Sequence, residues 1–326
     1  MGDRRIYRSV GRFNLTGGQQ TIIPLPTDHY IEAVLLDLNA AIVTTGLQAG
    51  DIRDNAPADL LTKVELVPNG MEPIHSRCLA GLLAANVNDW GSAGNSCVAT
   101  SDVLCTARAH VRIDVAMPRT KYPEEYLRDA RQFTSLNLIL QTALPAQGTV
   151  LFVTGEPTSV GAMTATVDVT MIEWVQGTMP DNAIQHKYLQ PEIEIPVTAA
   201  SVSLTTNLKV EALLRGLGVM AMAGAAATTL YRVDTVVNNL TLKYGGIQYV
   251  SNMRFAEAEA AFAKSKGIAL QTGTAWFDFS PDGLLSQMID MRNMGNLALE
   301  LNVSVPTTIQ KVLIWPQYVV AGGGKS

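Results

Sequence analysis

The sequence predicts an all-β protein built from two tandem β domains. Three features support this fold class: apolar stretches that alternate with polar residues, turn residues between them, and a long internal repeat. Alternation is clearest in residues 164–174 and 190–196, as expected for strands with one buried and one wet face. Helical patterns are few, and strands and helices do not alternate as βαβα. Antiparallel sandwiches or barrels are therefore favoured.

The repeat consists of a strand, a turn and a helix that occur once in each half. The predicted segments are 63–70 with 74–85 in the first half, and 239–246 with 250–263 in the second. The turn glycines, Gly70 and Gly246, lie 176 positions apart. Solenoid repeats have periods of only about 20 to 50 residues, so this spacing indicates a duplicated domain.

Further segments follow the same order in both halves. An apolar strand precedes the turn, and the helix is followed by a strand, a short helix and two more strands. The predicted pairs are 30–43 with 208–220, 109–118 with 274–281, 123–131 with 281–292, 136–142 with 297–303, and 172–174 with 313–315. We match 20–26 with 191–196 as opening strands. The first half carries the longer loops, and the candidates are 86–104 and 144–164.

Glycine, proline and asparagine place the domain boundary near residues 177–184. We predict a first domain over residues 1–180, with a basic amino-terminal arm, and a second over 181–326, with a flexible tail at 322–326. About eight strands and one inserted helix per half suit two eight-stranded jelly-roll barrels with short inserted helices. Periodicity alone does not separate a jelly roll from another Greek-key sandwich.

Composition limits the classes of function. Charged residues make up only 16% of the 326 residues, against about a quarter in typical soluble domains. Either neighbouring subunits cover much of the surface, or the surface is neutral and rich in Thr, Asn and Gln. The net charge of −5 gives no global basic footprint for nucleic acid. We find neither a signal peptide nor an apolar run of about 18 residues that could cross a membrane.

The basic start of the chain is the one local exception. Arg4, Arg5, Arg8 and Arg12 fall within its first twelve residues. They could belong to a solvated tail that orders only on contact, or to an arm that faces anionic lipid or nucleic acid. Both interpretations stay open.

Cysteine and histidine spacing predicts neither a metal site nor a cofactor. Cys78, Cys97 and Cys105 are odd in number and lack metal-ligand spacing, so we expect reduced thiols in a protein made in the cytosol, with Cys78 in the core. Metal-binding double barrels need closely spaced histidines with a carboxylate. The four histidines here are separated and do not repeat between the halves; they are His29, His75, His110 and His186. His75, at the start of a predicted helix, is expected at the surface or in a cap.

No motif predicts catalysis, and we expect no catalytic residue. The sequence lacks a Gly-x-Ser-x-Gly elbow, and residues 324–326 resemble only the end of a phosphate-binding loop. Two Asp–Arg pairs recur at matching positions, Asp129 with Arg131 and Asp290 with Arg292. A catalytic pair would rarely occur in both halves, so a structural ion pair at the end of a short helix is favoured.

Tryptophan placement gives little support for a sugar-binding surface. Trp174, Trp276 and Trp315 lie in strand patterns and are expected in the core or an interface. Only Trp90 has loop character. Exposed aromatic platforms of the kind used by lectins are therefore not indicated.

With these features the chain resembles the double jelly-roll major capsid proteins of tailless icosahedral viruses, in particular membrane-containing bacteriophages of the adenovirus-like capsid lineage. The resemblance rests on the tandem architecture, the helix after the turn in each half, and the unequal loops. It covers nearly the whole chain, but it is not a motif match.

The resemblance implies a structural virion protein, made in the host cytoplasm, and not an enzyme. Homotrimers would form pseudo-hexagonal blocks that tile an icosahedral shell beside other capsid proteins, such as a penton, without a cofactor or small-molecule substrate. Loops 86–104 and 144–164 would project outward or join trimers. The arginine-rich start would face inward, toward membrane lipid or genome.

Two other functions remain open from the sequence. A tandem carbohydrate- or receptor-binding protein, such as a viral spike or lectin, should expose clustered aromatic residues. An enzyme of the bicupin or glycanase type should hold a metal or clustered acids inside a barrel.

Overall fold

The computed structural model describes residues 4–53, 56–92, 94–145, 151–153, 157–175, 186–198, 203–208, 211–224, 230–294, 296–304 and 308–321. The first half contains β1 (Arg4–Thr16), β2 (Gln20–Leu25), β3 (Tyr30–Thr45), β4 (Leu61–Pro68), β5 (His75–Arg77), α1 (Leu79–Trp90), β6 (Asn95–Ser101), β7 (Leu104–Asp114), β8 (Arg128–Asp129), β9 (Leu136–Thr142) and β10 (Ser159–Val175). The second half contains β11 (His186–Leu189), β12 (Ile193–Val197), β13 (Ser203–Leu208), β14 (Leu213–Gly224), β15 (Tyr231–Arg232), β16 (Val237–Tyr244), β17 (Ile247–Arg254), α2 (Phe255–Lys266), β18 (Thr274–Asp278), β19 (Ile289–Asp290), β20 (Leu297–Val303) and β21 (Ile309–Ala321).

Each half is a two-sheet jelly roll with the same antiparallel strand order. In the first half, β1-β10-β3-β7-β6 form one sheet, with β8 beside β3, and β2-β9-β4-β5 form the other. In the second half, β11 and β12 lie beside β21, which pairs with β14, and β13-β20-β16-β17 form the other sheet. β18 and β19 pair with β14, as β7 and β8 pair with β3. The prediction of two eight-stranded jelly rolls with inserted helices is confirmed.

The repeat keeps one sequence spacing from the turn through the helix. Helices α1 and α2 both have 12 residues, and their first residues, Leu79 and Phe255, are 176 positions apart, like the turn glycines. Both helices end at a glycine in the left-handed conformation, Gly91 with φ 67° and Gly267 with φ 72°. No insertion or deletion therefore separates the two copies of this unit.

Several predicted boundaries are wrong for identifiable reasons. The helices begin five residues later than predicted, because β5 and β17 first complete hairpins with β4 and β16. The short helix predicted at 123–131 is replaced by two 3₁₀ turns, Pro123–Glu125 and Ala130–Gln132, on either side of the two-residue strand β8. The short helix predicted at 281–292 is replaced by a 3₁₀ turn, Leu285–Gln287, before the two-residue strand β19. Residues 86–104 are not a loop, since they contain the end of α1 and the extra strand β6. Strand β14 begins at Leu213, five residues after the start of the predicted segment 208–220.

The pairing of opening strands is also wrong. Segment 20–26 corresponds to β2, which pairs with β9, whereas β12 pairs with β21. The counterpart of β2 is β13, and the counterpart of β11 and β12 is β1, which pairs with β10. Alternation identifies a strand but not its partner, so these similar patterns were interchangeable in sequence.

Some predictions fall partly or wholly outside the described residues. They concern the boundary at 177–184, the tail at 322–326, and parts of loop 144–164. The division at residue 180 therefore stays a prediction.

Candidate functional site: the contact between the two barrels

Helix α1 contacts both barrels and is buried on every side. Residues 79–89 are all buried, although only one face of the helix packs on its own barrel. α1 contacts β4, β5 and β7 of the first half and β14 and β18 of the second. At Gly81, an added Cβ would come within 2.6 Å of a ring carbon of Trp315. Glycine is therefore required where the helix meets the second barrel.

The second-barrel sheet beneath α1 is buried on both faces. Leu217, Val219 and Ile314 belong to the core of their own barrel. Met220 and Leu313, from the alternate positions of the same strands, join the core of the first barrel. A sheet covered on both faces reads as a continuous apolar run, which explains the weak alternation of β14.

The tryptophan predictions are largely confirmed. Trp276 and Trp315 are buried and join the first-barrel core from second-barrel strands. Trp174 is half-buried and donates a 2.8 Å hydrogen bond to Glu32. Trp90 is not in a loop; it is the last residue of α1 and donates to Asp114 at 3.0 Å.

A buried ion pair joins α1 to the second barrel. The guanidinium of Arg215 donates to both carboxylate oxygens of Asp89, at 2.6 and 3.3 Å, and their side chains are 0% and 2% exposed. Arg215 also donates to Gln317 at 2.6 Å and to the Tyr188 hydroxyl at 3.3 Å. These contacts satisfy a charge that would otherwise be costly to bury.

Three more charged groups extend this pair. Arg119 donates to Asp89 at 3.2 Å and to Asp278 at 2.6 Å, and Lys266 donates to Asp278 at 3.1 Å. Burial acts to raise the pKa of Asp278, but the hydrogen bond from Arg119 and the nearby cations outweigh it and hold that pKa below its ordinary value. We call Asp89, Arg119, Arg215, Lys266 and Asp278 the inter-barrel charge cluster.

Sequence reasoning missed this cluster, although one signal was present. Arg215 lies within an apolar strand, and so does Glu32 in the first half. Both are β-bulge residues that the strand pairing skips, between Leu214 and Gly216 and between Ile31 and Ala33. Glu32 accepts hydrogen bonds from Arg5, Arg112 and Trp174. A charge inside a buried strand could therefore have indicated a bulge and a buried partner.

The recurring Asp–Arg pairs are confirmed as ion pairs of one geometry. In the first half, the side chain of Arg131 donates to Asp129 at 2.8 and 3.0 Å. In the second, Arg292 donates to Asp290 at 2.9 and 2.6 Å. Each aspartate also accepts from the backbone N–H of its arginine. These contacts fix the turn that follows β8 and β19.

The basic start of the chain forms strand β1. Arg4 pairs through its backbone with Val175. The other three arginines are bound to carboxylates of the same chain: Arg5 to Glu32 at 2.6 Å, Arg8 to Asp28 at 2.5 Å, and Arg12 to Asp168 at 2.7 and 2.8 Å. The four arginines therefore belong to a strand and not to a solvated tail. Their inward orientation in an assembly stays a prediction.

The histidines and cysteines do not gather into a metal centre. Within the described ranges, no three His, Cys, Asp or Glu residues are placed to hold a metal ion. Cys78 is buried in the core as predicted, and the Sγ atoms of Cys97 and Cys105 are 3.3 Å apart. The surface or cap role expected for His75 is wrong, because β5 places it inside the protein at 2% exposure.

Within the described part of the chain, neither α1 nor α2 has the length and apolar character that a membrane-crossing helix requires.

Glu259 on α2 is expected to make stability depend on pH. Burial, aided by the charge of Asp234, raises its pKa from 4.5 to about 7. The folded state therefore keeps a proton that the unfolded chain loses, and this stabilisation is complete below pH 4.5 and lost as the pH rises to about 7. We expect a loss of about 1 to 2 kcal/mol across this window, allowing for solvent screening.

Urea unfolding of Glu259→Gln at pH 4.5, 6 and 7.5 tests this expectation. The variant should lack the part of the pH dependence that Glu259 causes, and the exposed-site control Glu257→Gln should keep it. Parallel pH profiles for wild type and Glu259→Gln would contradict the assignment.

Comparisons with known proteins identify the fold through structure alone. No family model matches the chain, and no curated protein gives a significant match. The STIV MCP superposes with a TM-score of 0.71 at 14% identity, covering 97% of this chain and 96% of its own. The major capsid protein P2 from Bacteriophage PM2 has a TM-score of 0.60 at 12% identity, covering 99% and 100%.

A third neighbour extends the range of viruses. The PBCV-1 virus capsid chain has a TM-score of 0.60 at 12% identity, covering 99% of this chain and 96% of its own. The chain thus has the double jelly-roll fold of viral major capsid proteins over nearly its whole length. At these identities the likeness concerns the fold.

Proposed function

We propose that this chain is a structural capsid protein whose homotrimers form pseudo-hexagonal blocks of an icosahedral virion shell. Its fold matches capsid proteins along almost the whole of both chains. A structural capsid protein acts through the surfaces by which it contacts further copies, and this role requires neither catalysis nor a cofactor. Its surfaces should therefore include one that a neighbouring copy can cover.

The contrast between α1 and α2 carries the proposal of a trimer. The α1 positions Ala80, Gly81, Ala84, Ala85, Asn88 and Asp89 are buried. Their counterparts in α2 are exposed, and they are Ala256, Glu257, Ala260, Ala261, Lys264 and Ser265. In α2 only Phe255, Ala258 and Phe262 are buried. The second helix thus presents to solvent the positions that the first helix buries.

Repetition of one contact explains this difference. Within the chain, the helix of the first barrel packs on the second barrel. If α2 packs in the same way on the first barrel of the next copy, the contact is heterologous and can close into a ring. Three chains would then give six barrels in a ring, with each helix covered.

The receiving face of the first barrel is more polar than its counterpart. Gly218, which pairs with Trp315 and Trp276, corresponds to Leu35, which pairs with Thr170 and Arg112. We therefore expect the contact between copies to be more polar than the contact between barrels of one chain, and to form after each chain has folded.

Light scattering on purified protein tests the trimer. Three chains of 35.0 kDa should give a particle of about 105 kDa. Ala260→Arg places a long charged side chain on the exposed face of α2, and it should leave a folded monomer. Ala162→Arg, at an exposed site on β10, is the matched control and should remain trimeric. A monomeric wild type, or a trimeric Ala260→Arg variant, would contradict the proposal.

In the same shell, further contacts would follow from the trimer. Other capsid proteins, such as a penton, would meet its edges. We propose that the end of the block carrying Arg4, Arg5, Arg8 and Arg12 faces inward, toward membrane lipid or genome, after synthesis in the host cytoplasm. Because carboxylates of the same chain bind Arg5, Arg8 and Arg12, only part of their charge would be available to lipid or nucleic acid.

A further inference from the structure

Strand β5 carries two buried nitrogen-rich side chains that have no hydrogen-bond partner among the described residues. Arg77 is 0% exposed, and its Nε and both terminal nitrogens are unpaired. His75 is 2% exposed, and both of its ring nitrogens are unpaired. The two residues alternate with Ser76 along β5, so their side chains lie on one side of the strand. Five nitrogen atoms thus reach one region without a described acceptor.

This region lies where the two barrels meet. The Arg77 guanidinium is 5.6 Å from the ring centre of Trp276, which belongs to the second barrel. Strand β5 also forms a bridge with Gln190, and the N–H of Ser76 donates to the carbonyl of Gln190 at 3.0 Å. The guanidinium of Arg77 is therefore shielded from bulk water by both barrels.

Nearby carboxylates are already engaged by other donors. Asp89 binds Arg215 and Arg119. Glu192 accepts from the indole N–H of Trp315 at 2.7 Å and from the backbone N–H of Cys78 at 3.1 Å. Neither carboxylate lies within hydrogen-bond distance of Arg77, so neither supplies the missing acceptor.

Among the residues that the structure describes, the balance of charge in this region also leaves one positive charge. The inter-barrel charge cluster contributes three cations and two carboxylates; Arg77 adds a cation, and Glu192 adds at most one carboxylate. The adjacent group of Arg5, Glu32, Arg112 and Asp114 is balanced, with two charges of each sign. A guanidinium cannot lose its proton in a protein, so it must find a partner of opposite charge or pay a large desolvation penalty.

From these observations we infer that Arg77 and His75 form a binding site for one small monovalent anion, of the halide class, between the barrels. The guanidinium would donate to the anion, and His75 would add one ring N–H. Burial and the charge of Arg77 hold the pKa of His75 well below its ordinary value, so the ring is a neutral donor. A single negative charge balances the region without a further proton.

Thermal unfolding in matched salts tests the site with chloride as the probe. At constant ionic strength, replacing sodium gluconate with sodium chloride should raise the Tm of the wild type by about 3 °C or more at saturation. Arg77→Met should lose this chloride dependence. Arg12→Met, which removes an exposed arginine, should keep it. An equal Tm in both salts for the wild type would overturn the inference.

Bromide provides a second measurement that does not require the Arg77 variant to fold. Crystals of the wild type grown in sodium bromide should show an anomalous peak within about 3.5 Å of the Arg77 guanidinium, at hydrogen-bond distance for a large anion. Density with only water there, and no anomalous signal, would overturn the inference. The test concerns one chain, so its result is independent of whether the protein forms trimers.

Discussion

Replacing Asp89 with alanine should lower the free energy of unfolding by about 3 to 5 kcal/mol, because Arg215 would stay buried without its charge partner. Arg215 is 0% exposed and receives its only carboxylate contact among the described residues from Asp89. Gln317 and Tyr188 accept hydrogen bonds from it but carry no formal charge to compensate it. The loss should appear as a lower midpoint in urea unfolding followed by circular dichroism.

Asp290→Ala is the matched control for this prediction. Asp290 also binds an arginine through two oxygens, but the side chains of Asp290 and Arg292 are 43% and 51% exposed. An exposed pair of this kind contributes at most about 1 kcal/mol. Similar losses for Asp89→Ala and Asp290→Ala would show that burial does not set the cost.

A double variant separates the charge from the packing. In Asp89→Leu with Arg215→Met, no unpaired charge remains at this position. Apolar replacements of a buried pair are often neutral or stabilising, so the double variant should be more stable than Asp89→Ala. If it is less stable, then the pair itself, and not the orphaned guanidinium, accounts for the loss.

Local patterns predicted the parts of the fold that depend on neighbouring residues. The predicted segments 136–142 and 297–303 coincide with β9 and β20, since each alternates between a buried core face and an outer face. The turn glycines and the first residues of both helices keep one spacing of 176 positions. These elements could be identified without knowing what lies across the sheet.

Contacts between distant segments could not be predicted in this way. Asp89 and Arg215 are 126 positions apart, and the sequence around either residue does not identify the other as its partner. His75 was expected at a helix start, but a three-residue strand placed it between the barrels. The alternation of apolar and polar residues shows that one face of a strand is buried. It does not show which segment covers that face.

The sequences of α1 and α2 also indicate how much of each helix is buried, but not which segment covers it. Leu79, Leu82 and Leu83 of α1 stand where α2 has Phe255, Ala258 and Glu259. The more apolar composition of α1 indicates burial on more than one face. Only the structure shows that the second barrel covers α1. It also shows that the corresponding face of α2 is exposed.

Replacing Trp315 with alanine should lower the free energy of unfolding by about 3 to 5 kcal/mol, since the ring fills the contact between α1 and the second barrel. Trp315 is 0% exposed, and its indole N–H donates to Glu192 at 2.7 Å. The variant would lose this hydrogen bond and leave a cavity beside Gly81. Urea unfolding again provides the measurement.

Trp174→Ala is the control, because Trp174 lies on the equivalent strand β10 and also donates to a glutamate, at 2.8 Å. Its ring is only half-buried. The loss should therefore be smaller than for Trp315→Ala. Equal losses would indicate that the hydrogen bond, and not the packed ring, determines the cost.

The effect of Gly81→Ala should then change sign with the residue at position 315. In a helix interior, alanine is favoured over glycine by about 1 kcal/mol. With Trp315 present, the new Cβ would meet the ring at 2.6 Å, and overpacking of about 1 to 3 kcal/mol should exceed that gain. In the Trp315→Ala background the space is free, so Gly81→Ala should stabilise the protein. If it destabilises both backgrounds equally, then Gly81 is needed for a reason other than the close approach of the second barrel to α1.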